Sequence, residues 1–401
     1  MKQLFKSPQI AGLVFILSIF TLSCGKESTS GSTSNGASTV LKITGVQQER
    51  STSPVVCKFV VSLDAKAQQP VKVNYTTQDA TALANTDYLP VTGTLTIKTG
   101  EQRGEIAITI KADSTRTDNK EFYVKLDNPV NCKLGNDKAT GLIINENGLY
   151  LPVDDAGYTT PLTYTGYNLV WQDEFSSPAI NTSDWTFESG NNNGWGNNEL
   201  QHYTNRSQNV FTTGGKLVIE ARREGYNGYN YTSTRMITKN KKVFKYGRVD
   251  IRAKMPRGQG VWPALWMLGN DIDAVSWPAC GEIDILELLG HEPGKIYATC
   301  HWGATAASRQ SKGSSYTLST GTFYDKFHVY SLIWKEDSMQ VLIDDQQYLS
   351  VTAAEAGNAY SFNKDFFFIF NIAVGGNWPG APDGTTVFPQ RMMVDYIRVF
   401  Q

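Results

Sequence analysis

The chain has 401 residues, 40% of them hydrophobic, enough for two or three domains with cores of their own. Its formal charge is −1, from 37 basic and 38 acidic side chains with no basic block, which argues against nucleic-acid binding. All nine Trp lie beyond residue 170, as do all four His, and the first 150 residues contain neither. That asymmetry marks a domain boundary and places the chemistry in the second part of the chain.

Residues 1–24 read as an export signal. Lys2 and Lys6 give a short positive region, and Ile10 to Phe20 is an apolar run too short to span a bilayer. The run ends at Thr21-Leu22-Ser23-Cys24-Gly25, which resembles a bacterial lipoprotein box, although Thr21 stands where Leu is usual. The resemblance implies lipidation at Cys24 and a membrane anchor at the outer membrane or cell surface, with ordinary secretion as the alternative. Residues 25–38, rich in Ser, Thr and Gly, read as a tether. The other four Cys fall two and two, Cys57 with Cys132 and Cys280 with Cys300. In an exported protein each pair is either a disulfide or two buried thiols.

Residues 39–147 alternate apolar and polar side chains in short runs such as Val71–Tyr75, Gly93–Ile97 and Glu105–Ile110, separated by turn-rich segments. The pattern predicts an immunoglobulin-like β-sandwich. In order, Ala84-Asn85-Thr86-Asp87-Tyr88, Gly93–Ile97, Gly100-Glu101, Asn119–Phe122, Leu126-Asp127-Asn128-Pro129 and Gly141–Asn147 resemble a Calx-β domain. The resemblance offers Asp87, Asp113 and Glu121 as calcium ligands at one end of the sandwich, with solvated acids on a spacer domain as the alternative. Residues 148–166, with two Pro and several Thr and Gly, read as a linker.

Residues 167–401 carry strand signals throughout and no convincing helix, which predicts a large two-sheet jelly-roll sandwich whose concave face makes a groove for a polymer. Within them, Glu282-Ile283-Asp284-Ile285-Leu286-Glu287 places three carboxylates in an otherwise apolar run. Burying ionised carboxylates together is costly, so a strand that does so has chemistry to perform. Glu282 and Asp284 share strand parity, but Glu287 should point to the opposite face. A β-bulge at Ile285-Leu286 would bring all three to one face. Two carboxylates flanking a bond are the tools of glycoside hydrolysis, and a spacing of about 5 Å gives retention of configuration. Trp195, Trp262, Trp266, Trp302 and Trp378 lie in or beside Gly-rich strand ends, where they serve either as sugar platforms or as core.

The six-residue run resembles the signature of glycoside hydrolase family 16, in the bulged form typical of laminarinase-like endo-β-1,3-glucanases. Trp195–Gln201, Tyr246-Gly247-Arg248, Gly260–Leu268, His301-Trp302-Gly303 and Asn371–Gly380 match family segments, so the resemblance spans residues 167–401. It implies Glu282 as nucleophile, Glu287 as general acid/base and Asp284 as assisting carboxylate. It also implies His301 beside the acid/base, and sugar contacts from Trp195, Asn198, Glu199, Arg248, Trp262, Trp266 and Trp378. No cofactor is required. A structural calcium on the convex face, held by Glu174, the Gly215 carbonyl and Asp395, is the metal that the resemblance allows. The expected partner is a polysaccharide, and the expected state is a monomer. The alternatives are hydrolysis of mixed-linkage β-1,3/1,4-glucan or of agar-type polymers, and non-catalytic glycan binding at the cell surface.

Overall fold

The computed structural model describes residues 39–148 and 150–401. The expected export signal, Cys24 and the expected tether lie outside them. The first sandwich packs a four-stranded against a five-stranded sheet. Its strands show the alternation read in the sequence: in Val55–Leu63, Cys57, Phe59, Val61 and Leu63 are buried and their neighbours are more open. Tyr88 stacks on Phe122 at 4.5 Å, and Gly141 lies so close to that ring that a Cβ there would sit 2.5 Å from it. Among the described residues all four Cys are free thiols, so these cores hold without disulfides.

The acidic end of this sandwich carries its own cations. Asp87 accepts hydrogen bonds from Arg50 (3.0 Å) and Lys120 (2.9 Å), and Asp113 lies 3.5 Å from Arg50. Burial works against the Asp87 anion, but the Leu83 N–H and these two cations hold its carboxyl below its ordinary value. Glu121 is exposed and does not join them.

The second sandwich has a seven-stranded sheet, which carries the groove, and a ten-stranded sheet behind it. Every residue of strand Phe366–Val374 is buried, because one face meets the back sheet and the other is roofed by the groove side chains. Between the sheets Trp171, Trp185, Phe368, Phe370 and Trp334 form one continuous aromatic core with Ile283, Ile285 and Leu286 of the catalytic strand (Glu282–Glu287).

The segment that reads as a linker is a strap laid on the back sheet. Asp155 accepts from Arg252 (2.8 Å), the Thr160 N–H donates to the Tyr396 hydroxyl (2.9 Å), and Tyr164 donates to Asp250 (2.7 Å). Its Pro, Gly and Thr content reads as a linker, but its acids and hydroxyls meet buried partners that only the fold brings near. The two sandwiches also touch directly. Arg116 of the first donates to the fully buried Glu220 of the second (3.1 Å) and lies over the Phe211 ring, while Arg222 pairs with Glu146.

Candidate active site

The bulge is present. Asp284 pairs with Thr299 and Glu287 with Tyr297, so two residues of the catalytic strand, Ile285 and Leu286, face the single Ala298. On the other side Trp266 pairs with Asp284 and Leu265 with Leu286, which identifies Ile285 as the extra residue. Ile285 and Leu286 both reach the core, and Glu282, Asp284 and Glu287 all line one groove of about 610 Å3. The Ile285 carbonyl accepts a hydrogen bond from the Tyr348 hydroxyl at 3.2 Å, so a polar group displaced from the regular ladder is satisfied inside the sandwich.

Each glutamate has one indole donor. Trp277 Nε1 donates to Glu282 Oε2 at 2.9 Å, and Trp262 Nε1 donates to Glu287 Oε1 at 3.2 Å. Asp284 lies between them, 4% exposed, with no Lys or Arg in salt-bridge contact among the described residues. Burial pushes the Glu282 carboxyl up to about 7 against the pull of the Trp277 N–H. Burial, then the Glu282 charge, push Glu287 to about 8. Burial and both neighbouring charges raise Asp284 well above the carboxylate range. Such a cluster holds shared protons at neutral pH, so one member can be ionised while another remains an acid.

His301 differs from the expected arrangement. Strand register sets it opposite Glu282, not the acid/base, with Nε2 3.7 Å from Glu282 and 3.6 Å from Asp284. Burial, then the Arg309 charge, lower its pKa to about 4, which favours the neutral imidazole at neutral pH. Glu282, Asp284 and His301 are also the group with metal-ligand spacing among the described residues, their ligand atoms within 4.8 Å of one another.

Trp195, Trp262, Trp266, Trp378 and Glu199 line the groove as expected. Trp378 is 42% exposed and meets Trp262 and Tyr297 edge-on at 5.6 and 4.9 Å. The Glu199 carboxylate is buried and accepts from Gln201 at 2.6 Å and from Tyr203 at 3.3 Å. Tyr203 in turn accepts from Asn371, whose Oδ1 takes the Trp266 indole N–H at 2.7 Å. Glu199 thus braces a platform from behind. Asn198 is exposed and tied to Asn377 at 2.8 Å, while its neighbour Asn197 lines the groove. Trp302 is core, 3% exposed.

Two expectations are corrected. Arg248 is not a sugar contact: it lies on the back sheet, buried, bonded to Asp250 (2.8 Å) and Asp345 (2.6 Å). Nor do Glu174, Gly215 and Asp395 offer calcium an open oxygen cage. Glu174 accepts from Arg398 Nε and Nη2, at 2.7 and 2.9 Å, and Asp395 takes Lys216 (2.9 Å) and Arg252 (2.6 Å). Gly215 lies in the turn just before strand Lys216–Tyr226. Calcium there would have to displace charge-assisted pairs already formed.

Sequence reasoning missed Arg235, Trp277 and Tyr297. Arg235 lies between the Trp195 and Trp266 rings, 4.7 Å from each centroid, and pairs with Glu188. It follows a run of Ser and Thr and belongs to no pattern that marks it, whereas Trp277 carried a signal in its residue type.

Comparison with known proteins agrees with this geometry. The sequence matches Glycosyl hydrolases family 16 over residues 197–398 and the Calx-beta domain over residues 40–148. It is 43% identical over 270 residues to Glucan endo-1,3-beta-glucosidase A1 of Niallia circulans, covering 61% of this chain but only 39% of that protein. The laminarinase catalytic domain from Thermotoga maritima MSB8 is similar in structure, with TM-score 0.55 and 46% identity over 59% of this chain and 98% of that one. LamA from Z. galactanivorans, in complex with laminaritriose and laminaritetraose, gives TM-score 0.53 and 35% identity over 59% of this chain and 100% of that one. An all-β jelly roll with bulge-aligned carboxylates, matched over half the chain, has one placement: the chain belongs to glycosyl hydrolases family 16, with a Calx-β domain ahead of its catalytic sandwich.

Proposed function

We propose that this chain hydrolyses β-1,3-glucan internally, with retention of configuration, in two displacements. Glu282 attacks the anomeric carbon while Glu287 protonates the departing oxygen. A glycosyl ester on Glu282 forms, and Glu287, now a base, draws a proton from the water that cleaves it. Asp284, protonated between the two glutamates, places no third charge beside them and lowers the cost of gathering negative charge. The carrying observation is the bulge, which brings Glu287 to the face of Glu282 in a groove walled by tryptophan. The similarity to laminarinases supports β-1,3-glucan as the substrate.

The polymer lies across the groove, and Trp195, Trp266 and Trp378 bury the apolar faces of its rings. The protein acts as a monomer, exported and held at the membrane by a lipid on Cys24. The test is product analysis on laminarin, lichenan and agarose. Short β-1,3 oligosaccharides from laminarin, with little release from agarose, are expected. Faster cleavage of lichenan or agarose would refute the assignment.

A further inference from the structure

The loop that leads into the catalytic strand has a clamped base and an exposed tip. At the base, Gly269 N–H donates to the Gly281 carbonyl (3.2 Å), and a Cβ on Gly269 would stand 2.0 Å from the Cys280 carbonyl. Lys364 joins the two arms, donating to Asp271 (2.7 Å) and to the Ala279 carbonyl (3.0 Å). The tip carries Trp277, 37% exposed, with its indole N–H directed back at Glu282. Among the described residues this is the single hydrogen bond that the Glu282 carboxylate receives, since His301 stands beyond hydrogen-bond range at 3.7 Å. Arg309, from the facing turn, lies 5.7 Å from the Trp277 ring.

We infer that Trp277 is a positioning residue for the nucleophile: its N–H holds the Glu282 carboxylate ionised and turned toward the groove. A carboxylate can attack only as an anion, and Glu282 lies beside two more carboxyls in a site that burial makes hostile to charge. A donor to one oxygen stabilises the anion and fixes the rotamer, leaving the other oxygen free to attack. The indole suits this place because it donates without accepting and cannot take the proton from the group it holds. Trp262 cannot substitute, being engaged with Glu287. The clamped base keeps the tip in register with the catalytic strand, which sets the distance from the donor to Glu282.

The inference rests on the proposed hydrolysis, and one experiment separates the two. Laminarin hydrolysis is followed against pH for the wild-type chain and for Trp277→Phe, which keeps a ring at the groove wall and removes the donor. The expected result is a fall in kcat of about 10- to 100-fold with KM little changed. The acid limb of kcat/KM moves to higher pH by about one unit, because the undefended Glu282 anion forms later. Trp277→Ala should show the same limb shift, with a raised KM added by the lost wall. If Trp277→Phe keeps its kcat and its acid limb, or changes KM alone, Trp277 is a sugar platform and the inference is overturned. A wild-type chain inactive on laminarin would instead refute the proposed function.

Discussion

On the back sheet Asp250 and Glu220 are fully buried, and each is surrounded by donors. Asp250 takes Arg248, Ser331 and Tyr164, while Glu220 takes Arg116 and Arg391 with Arg222 nearby. In the groove three carboxyls share one wall, with one indole N–H apiece for the glutamates and no Lys or Arg in salt-bridge contact among the described residues. Both regions bury acids. One neutralises them, and the other leaves them in conflict with their surroundings. A buried acid with its cation holds structure, and removing either partner exposes the cost of the other. A buried acid without a cation binds protons near neutrality, as acid–base chemistry requires.

The contrast predicts opposite mutational behaviour. Glu282→Gln should lower kcat on laminarin by about 10³-fold or more while the melting temperature stays level or rises, since an uncompensated buried charge disappears. Glu220→Ala should do the reverse: a loss of about 3–5 kcal/mol in denaturant-measured stability, because three arginines lose their anion, with kcat per folded molecule retained. If the Glu220 variant lost activity without losing stability, the division between the faces would fail.

The two faces should also respond to pH with opposite sign. Folding raises Glu282 and Glu287 from the ordinary glutamate range to about 7 and about 8. Their contribution is therefore fully present below the unfolded pKa and lost as pH rises to about 8. Asp345 and Asp155 lie below the ordinary range: burial opposes this, but Arg248 and Tyr158 hold the first down, and Arg252 and Lys216 the second. Their contribution is present above the unfolded pKa and lost as pH falls through the folded one. A melting series in Glu287→Gln should flatten the decline that runs from the ordinary glutamate pKa up to about pH 8, and leave the loss at lower pH unchanged. The smallest effect concerns calcium. With Arg398, Lys216 and Arg252 already on Glu174 and Asp395, a chelator should leave the melting temperature where it was, and a fall of several degrees would reveal an ion that these pairs do not replace.

Much of the groove was legible in the chain. The parity of Glu287 pointed to the bulge, because an acid turned to the core face among Ile and Leu would be buried without a partner; the alternative was that the three carboxylates do not act together. Trp195 and Trp378 announced themselves by standing among Gly and Asn. What stayed hidden depends on pairing between distant strands. His301 belongs with Glu282 because Cys300 and Ile283 are in register, which the order of residues does not state. Arg248 shares strand parity with Asp250, but alternation does not tell which of two sheets a strand joins. The strap looked like a linker because its partners, Arg252 and Tyr396, lie about 100 and 240 residues further along.

The most direct test is to trap the intermediate. A fluorinated β-1,3-glucosyl inactivator, which slows both displacements and leaves the ester in place, is incubated with the protein and the labelled peptide is sequenced by mass spectrometry. The account predicts a single glycosyl group on Glu282, lost more slowly when Glu287 is changed to Gln, because no base then draws the proton from the attacking water. A label on Glu287, or hydrolysis with inversion and no covalent adduct, would contradict it.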